Sequence, residues 1–240
     1  MKVTIIETGL VPEPIRASFG DYPGMFRALV RASDPSFSFE TVSVIKGEQL
    51  PDPAGLEAIL ITGSPAGVYD DEPWMSPLMD FIRAAATAEV PQVGICFGHQ
   101  AMAEALSGKV IKSPKGWGVG RHTYEVLACP GLAAKNCPDR VSIAVSHQDQ
   151  VVTLPPGAEV IARSDFTPNA GLYYPQAPAI SFQCHPEFSD RYSAALYTLR
   201  EDRLGDAAHT AVESLAIPAD NQLLGSWIAG FLKSSNQPKR

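Results

Sequence analysis

The chain has 240 residues, 45% of them apolar, and a formal net charge of −7 at pH 7. That length can bury a sizeable core in one α/β domain, and the acidic balance argues against non-specific binding to nucleic acid or to an anionic membrane surface. No run of about 18 apolar residues is present to span a bilayer, and the four cysteines, Cys96, Cys129, Cys137 and Cys184, form no C-x-x-C pair, so neither a zinc ribbon nor a dithiol redox motif is supported.

In chain order, MKVTIIETG is too short and too acidic for a signal peptide and reads as a first strand over Lys2–Thr8. A cytoplasmic enzyme with reduced thiols is therefore the expectation. Tyr22–Ala32 places Met25, Phe26, Leu29 and Val30 on one face of a crossover helix. Phe39–Ile45 and Leu56–Thr62 read as the second and third strands, separated by the turn PDPAG. Directly after the third strand, Gly63, Ser64, Pro65, Ala66 and Gly67 form a loop of small residues at the carboxyl end of a parallel strand, where ligands bind in open α/β sheets. A helix over Ser76–Ala88 leads to the apolar run Val90–Ile95.

At that strand end, Gly94, Cys96 and Gly98 reproduce a G-x-nucleophile-x-G elbow with Cys in place of Ser. The turn is tight, so side chains at the flanking positions would clash. A thiol at the start of the following helix sits where the helix dipole favours thiolate. The alternative is a buried structural cysteine in a βα turn.

Past the elbow helix, residues 108–126 are rich in glycine and β-formers and suggest hairpin strands. Strand patterns follow at Val141–Val152, Ala158–Arg163 and Ala179–Gln183. Helices are expected over Arg191–Arg203 and Gln222–Lys233, the latter with Leu223, Leu224, Trp227, Ile228 and Phe231 as a buried stripe. That stripe is expected to pack on the sheet; the alternative is a homodimer or partner surface. The fold class is thus α/β, a flavodoxin-like, mainly parallel mixed sheet flanked by helices, with added antiparallel strands and a C-terminal helical extension. No linker divides the chain, so residues 1–234 are expected to form one domain and 235–240 a disordered tail.

A cysteine nucleophile needs a base, and the base an orienting group. Of the five histidines, His99 follows Cys96 on the first helical turn and points away from it, His209 lies in a polar helical segment, and His122 carries no partner signal. His147 sits at a strand end in VSHQDQV. His185 is the best candidate: QCHPEF closes an apolar strand, Pro186 keeps His185 extended, and Glu187 two residues on shares its face. One ring nitrogen then meets the carboxylate and the other the thiol.

GICFGHQ, QCHPEF and ITGSPAGVYD occur in the order and approximate spacing of the class I, triad-type glutamine amidotransferases, and the chain resembles their stand-alone, GMP-synthase-like members over roughly residues 40 to 190. The resemblance implies Cys96 as nucleophile, His185 as base and Glu187 as orienting carboxylate. It implies backbone oxyanion donors at Gly63, Ser64 and Phe97, and substrate contacts from Gln100, Ser146, His147, Gln148 and Asp149. The chain departs from the family where Ser64 replaces a second glycine and Cys184 an aromatic residue. Strand alternation turns Cys184 into the core, away from the reaction.

The implied chemistry is attack of Cys96 on the side-chain amide of L-glutamine or a γ-glutamyl compound, loss of ammonia or an amine, and hydrolysis of the γ-glutamyl thioester to glutamate. It needs no metal or organic cofactor. Three readings stay open: an ammonia-donating subunit docking on a separate synthase, a self-sufficient γ-glutamyl hydrolase or peptidase, and a non-catalytic binding or regulatory module on the same scaffold.

Overall fold

β-Branched residues dominate Lys2–Glu7, and in the computed structural model, which describes residues 1–235, this segment is strand β1. A short helix α1 (Glu13–Phe19) follows, and then α2 (Tyr22–Ser33), whose N-cap Asp21 accepts from Gly24 N at 2.6 Å. β2 spans Ser38–Ser43; the chain then turns into a 3₁₀ segment at Val44–Lys46, so the expected strand stops short of Ile45. β3 (Ile59–Ile61), α3 (Met75–Thr87), β4 (Gln92–Ile95) and α4 (Phe97–Ala105) complete the first half. The second half holds β5 (Lys109–Lys112), β6 (Gly118–Val126), β7 (Arg140–His147), β8 (Asp149–Thr153), β9 (Glu159–Arg163), β10 (Gly171–Tyr174) and β11 (Ala179–Phe182). Helices α5 (Asp190–Leu199), α6 (Glu201–Leu204), α7 (Asp206–Ser214) and α8 (Asn221–Ser235) close the chain. Ser235, expected in the tail, belongs to α8; positions 236–240 lie outside the described residues.

The main sheet has the order β2-β1-β3-β4-β11-β10-β9-β6-β7. From β2 to β11 every pairing is parallel, and from β11 to β7 every pairing is antiparallel. Within the parallel run, β3, β4 and β11 are buried on both faces, and β1 is buried beyond Lys2, which is why these strands read as apolar segments, while the edge strand β2 is half-exposed. Ile5 and Leu60 face a core shared with Phe26, Leu29, Trp227 and Phe231, while Ile6, Ile59 and Ile61 face Leu78, Ile82, Ala101 and Met102. Helices α2 and α8 therefore cover one face, α3 and α4 the other.

Two expectations need correction. The glycine-rich strands β5 and β6 do not form a hairpin with each other: β5 pairs β8 in a separate two-stranded sheet, while β6 lies between β7 and β9. Cys129 and Cys137 form a disulfide with Cα atoms 5.6 Å apart, so only Cys96 and Cys184 remain as free thiols. The C-terminal stripe packs inward: Trp227 is fully buried, its ring edge-on to Phe182 at 5.0 Å, and its indole N–H donates to Pro130 O at 2.8 Å. Leu223 is only partly covered. No described helix is long and apolar enough to cross a membrane.

Candidate active site

β4 delivers Cys96 into a backbone conformation that side chains avoid, φ 54° and ψ −101°, as the residue capping α4. Its flanking glycines are required by contact. A Cβ on Gly94 would lie 2.5 Å from Gly98 O, and one on Gly98 would lie 2.4 Å from Ile61 O. Gly98 N also donates to Thr62 O at 3.2 Å, tying the elbow to the end of β3. The G-x-C-x-G spacing is thus the imprint of two neighbouring strands pressed against one helix start.

β11 ends at Phe182, and the chain reaches His185 and Glu187 through a turn in which Phe188 N donates to His185 O at 3.2 Å. The expected pair is present, but the turn and not extended alternation brings it together. His185 Nδ1 lies 2.8 Å from Glu187 Oε1, which fixes that nitrogen as the protonated one and leaves Nε2 for another partner. Glu187 Oε2 is buried without a hydrogen-bond partner. The imidazole stacks on Phe188 with centroids 3.9 Å apart and 8° between planes, and its backbone N–H donates to Ala144 O at 2.9 Å. His185 and Cys96 meet across Gly63: a Cβ there would sit 3.0 Å from His185 Cε1 and 3.7 Å from Cys96 Cβ. Burial alone would pull the His185 pKa down, but the Cys96 sulfur and the Glu187 carboxylate more than reverse this and hold it above its ordinary value. The protonated form of the ring is therefore favoured beside Cys96 and Glu187.

Cys184 lies in the core, and burial, followed by the Glu187 carboxylate, pushes its thiol pKa well up. His99 is fully buried and turned away from Cys96, its Nδ1 2.7 Å from Ser181 Oγ. His209 is exposed on α7, and His122 packs edge-on to Phe166 at 5.2 Å.

Cys96, His185, Gly63 and Ser64 line one cleft of about 270 Å³ together with Gln100, Ser146, His147, Gln148 and Asp149. Phe97 is fully buried behind it, but as the first residue of α4 its N–H has no intrahelical acceptor. The Gly63 carbonyl accepts from the Thr8 and Thr62 hydroxyls, each at 3.2 Å. Because a trans peptide points its N–H opposite to its carbonyl, this anchors the direction of the Ser64 N–H. Gly9 packs beneath, where a Cβ would be 2.7 Å from Gly63 O.

Gln100 Nε2 donates to Asp149 O at 3.0 Å and to Gln183 Oε1 at 3.1 Å, and Gln183 Nε2 approaches Cys96 Sγ at 3.7 Å. A relay of amides therefore links the first residue of β8 to Cys96. Ser146 Oγ accepts from Arg200 Nη1 at 2.7 Å, and Asp149 Oδ2 accepts from Tyr69 OH at 2.8 Å. His147 Nδ1 donates to Asp149 O at 3.1 Å, its Nε2 has no partner, and burial, with His122 adding to it, lowers its pKa to about 3.

Sequence reasoning missed Thr8, Gly9, Gln183, Lys112, Trp117, Arg200 and Arg203. Gln183 was visible beside the QCHPEF histidine, at the end of an apolar strand where a buried amide needs partners. The others come from distant segments and carry no local signal. Among the described residues, no three His, Cys, Asp or Glu side chains are grouped to hold a metal ion.

The family model for glutamine amidotransferase class-I matches residues 36–198. A glutamine amidotransferase-like protein of Schizosaccharomyces pombe is 30% identical, with 91% of this chain and 93% of that protein covered. Gamma-glutamyl peptidase 4 of Arabidopsis thaliana is 29% identical over 72% of this chain and 70% of its own length. The glutamine-hydrolyzing GMP synthase of a Parafrankia species is 34% identical over 54% of this chain but only 23% of its own. Among solved structures, a glutamine amidotransferase of Thermotoga maritima superposes with a TM-score of 0.77 at 22% identity, covering 99% of both chains.

Proposed function

Because this chain belongs to the class-I glutamine amidotransferases, we propose that it hydrolyses the side-chain amide of glutamine or of a γ-glutamyl compound, with Cys96, His185 and Glu187 as its working triad. The observation that carries this reading is the strained Cys96 facing an imidazole whose other nitrogen is held by buried Glu187 at 2.8 Å. The Cys96 sulfur attacks the amide carbon and forms a C–S bond while the carbonyl oxygen gains negative charge. Backbone N–H groups of Phe97 and of the Gly63–Ser64 loop receive that oxyanion, a contribution of about 3 kcal/mol for one such donor. His185 gives its proton to the departing nitrogen as the C–N bond breaks. The imidazole, now neutral, takes a proton from water, which attacks the thioester, breaks the C–S bond and releases the γ-carboxylate. Glu187 keeps the ring oriented throughout and balances its charge. Gln100, Ser146, His147, Gln148 and Asp149 form the wall that receives the glutamyl end.

Whether the released ammonia is passed to a separate synthase is a second reading. It is supported by the similarity to one of the subunits of the glutamine-hydrolyzing GMP synthase of Methanopyrus kandleri, 38% identical over 42% of this chain and 54% of its own length. Glutamate release from glutamine and from γ-glutamyl peptides, with Cys96→Ala as control, tests both. Turnover by the isolated chain that vanishes in Cys96→Ala is the expected result. No turnover on any amide refutes hydrolysis, and turnover that requires an added synthase establishes the second reading.

A further inference from the structure

The mouth of the cleft carries cations that no carboxylate neutralises. Lys112, Arg200 and Arg203 all line it, and none of the three forms an ion pair among the described residues, although the chain as a whole has a net charge of −7. The acids in the same cleft already have partners. Gly67 N donates to Asp70 Oδ2 at 2.8 Å, and Tyr69 OH donates to Asp149 Oδ2 at 2.8 Å. Neutral donors leave both carboxylates charged, but the three cations outnumber the two acids that line the cleft, and the cations are the groups without a charged partner.

These cations are also held in place. Arg200 is tied by its bond to Ser146 Oγ at 2.7 Å, and the Arg203 guanidinium lies over the Trp117 ring, 4.4 Å from its centroid. Stacking fixes the plane of a guanidinium and leaves its N–H edge free for a carboxylate. Lys112 is the register partner of Asp149, next to the wall that receives the glutamyl end. Arg200, the cap between α5 and α6, and Arg203 on α6 follow the last residue matched by the family model, 198.

Ammonia leaving from glutamine is too small and has the wrong charge to engage any of the three. We infer that Arg203 on Trp117, with Arg200 and Lys112 beside it, forms a subsite for a carboxylate on the leaving amine, which makes γ-glutamyl amino acids or peptides with a free C-terminal carboxylate the preferred substrate class over glutamine. This rests on the amide hydrolysis proposed above. The bonds made and broken are the same: the amide C–N bond breaks, the amine departs with the proton from His185, and water completes the release of glutamate. The carboxylate on the amine is bound and stays chemically unchanged.

The test compares γ-glutamyl-alanine with γ-glutamyl-alaninamide, which differ only in that carboxylate. The expected kcat/KM ratio is about tenfold or more in favour of the acid, the size of one charge-assisted hydrogen bond. It should fall toward one in Arg203→Gln and further in the Arg200→Gln/Arg203→Gln double variant, while Arg83→Gln on α3 leaves it unchanged. Equal turnover of the two peptides by the unaltered chain, or an unchanged ratio in the double variant, overturns the subsite. If no amide is turned over, the hydrolysis reading alone has failed, and calorimetric binding to Cys96→Ala decides the subsite. Tighter binding of the acid than of the amide upholds it, and equal or no binding overturns it.

Discussion

Cys96 and the segment Ser146–Asp149, which runs from the end of β7 into β8, face the same cleft from two differently built regions, one parallel and one antiparallel. In the parallel half, placement is steric. Cys96 is held where it is because Gly94, Gly98 and Ile61 O leave no space for another arrangement. In the antiparallel half, placement is by polar contact: Ser146 is reached by Arg200, Asp149 by Tyr69, and His147 bonds the carbonyl two residues on. His185 stands at the seam, just after β11, the one strand that pairs parallel on one side and antiparallel on the other. A packed backbone gives Cys96 a single position, while hydrogen-bonded side chains hold the opposite wall of the cleft.

The largest effect is expected at the seam. Glu187→Gln keeps the shape but removes the charge that orients His185, and kcat should fall by about 10³- to 10⁴-fold, as for the orienting acid of other triads. Burial lowers the His185 pKa, and Cys96 and Glu187 raise it by more. Removing one of these anions must therefore shift the alkaline limb of the kcat/KM profile to lower pH. A reduced kcat with an unmoved limb would show that Glu187 acts by geometry alone.

Gly98→Ala probes the steric half next. Its Cβ would sit 2.4 Å from the Ile61 carbonyl oxygen, a backbone atom that cannot swing aside. Overpacking of this kind costs about 1–3 kcal/mol, read as a lower urea midpoint at unchanged slope, and activity should fall with it. Retained stability and activity together would mean that the elbow tolerates a shift of β3, and the steric account of the parallel half would be wrong.

How much could be read in advance follows the same division. The elbow and the small-residue loop were legible because close backbone approach requires glycine there, and QCHPEF because a histidine and a glutamate stand together at the end of an apolar strand. The antiparallel half was not. Residues 109–126 look like a hairpin, yet β5 finds β8 and β6 finds β7 and β9, since pairing there is decided by segments tens of residues away. β10 went unnoticed because its four residues, GLYY, carry no turn signal that separates them from loop. Arg200 and Arg203 reach the cleft only because α5 and α6 fold back over it, which no spacing within the chain announces.

Acid stability compares the halves through one buried histidine each. His99 on α4 and His147 on β7 both have pKa values lowered to about 3, in each case chiefly by burial. A depressed folded-state value means the unfolded chain takes up the proton first. Stability is then complete above the unfolded pKa of about 6.5 and declines as pH falls toward the folded values. Each histidine should contribute up to about 1.4 kcal/mol per pH unit in that window. Urea unfolding between pH 7 and 4.5 should show the decline, and His99→Gln or His147→Gln should each remove part of the slope. A flat profile would mean that both rings are reached by water.

The smallest effect should come from the helix that covers the sheet where its two halves join. Trp227 packs on Phe182 of β11 and donates its indole N–H to Pro130 O at 2.8 Å. Trp227→Phe keeps most of the apolar contact but removes the bond to that part-buried carbonyl, a loss of about 1 kcal/mol. The denaturation midpoint should move down by that amount while kcat stays unchanged, because Trp227 touches neither the triad nor the cleft. A drop in kcat at unchanged stability would show that α8 transmits its packing through Phe182 to Gln183 and Cys96, and the C-terminal extension would then belong to the site rather than to the scaffold beneath it.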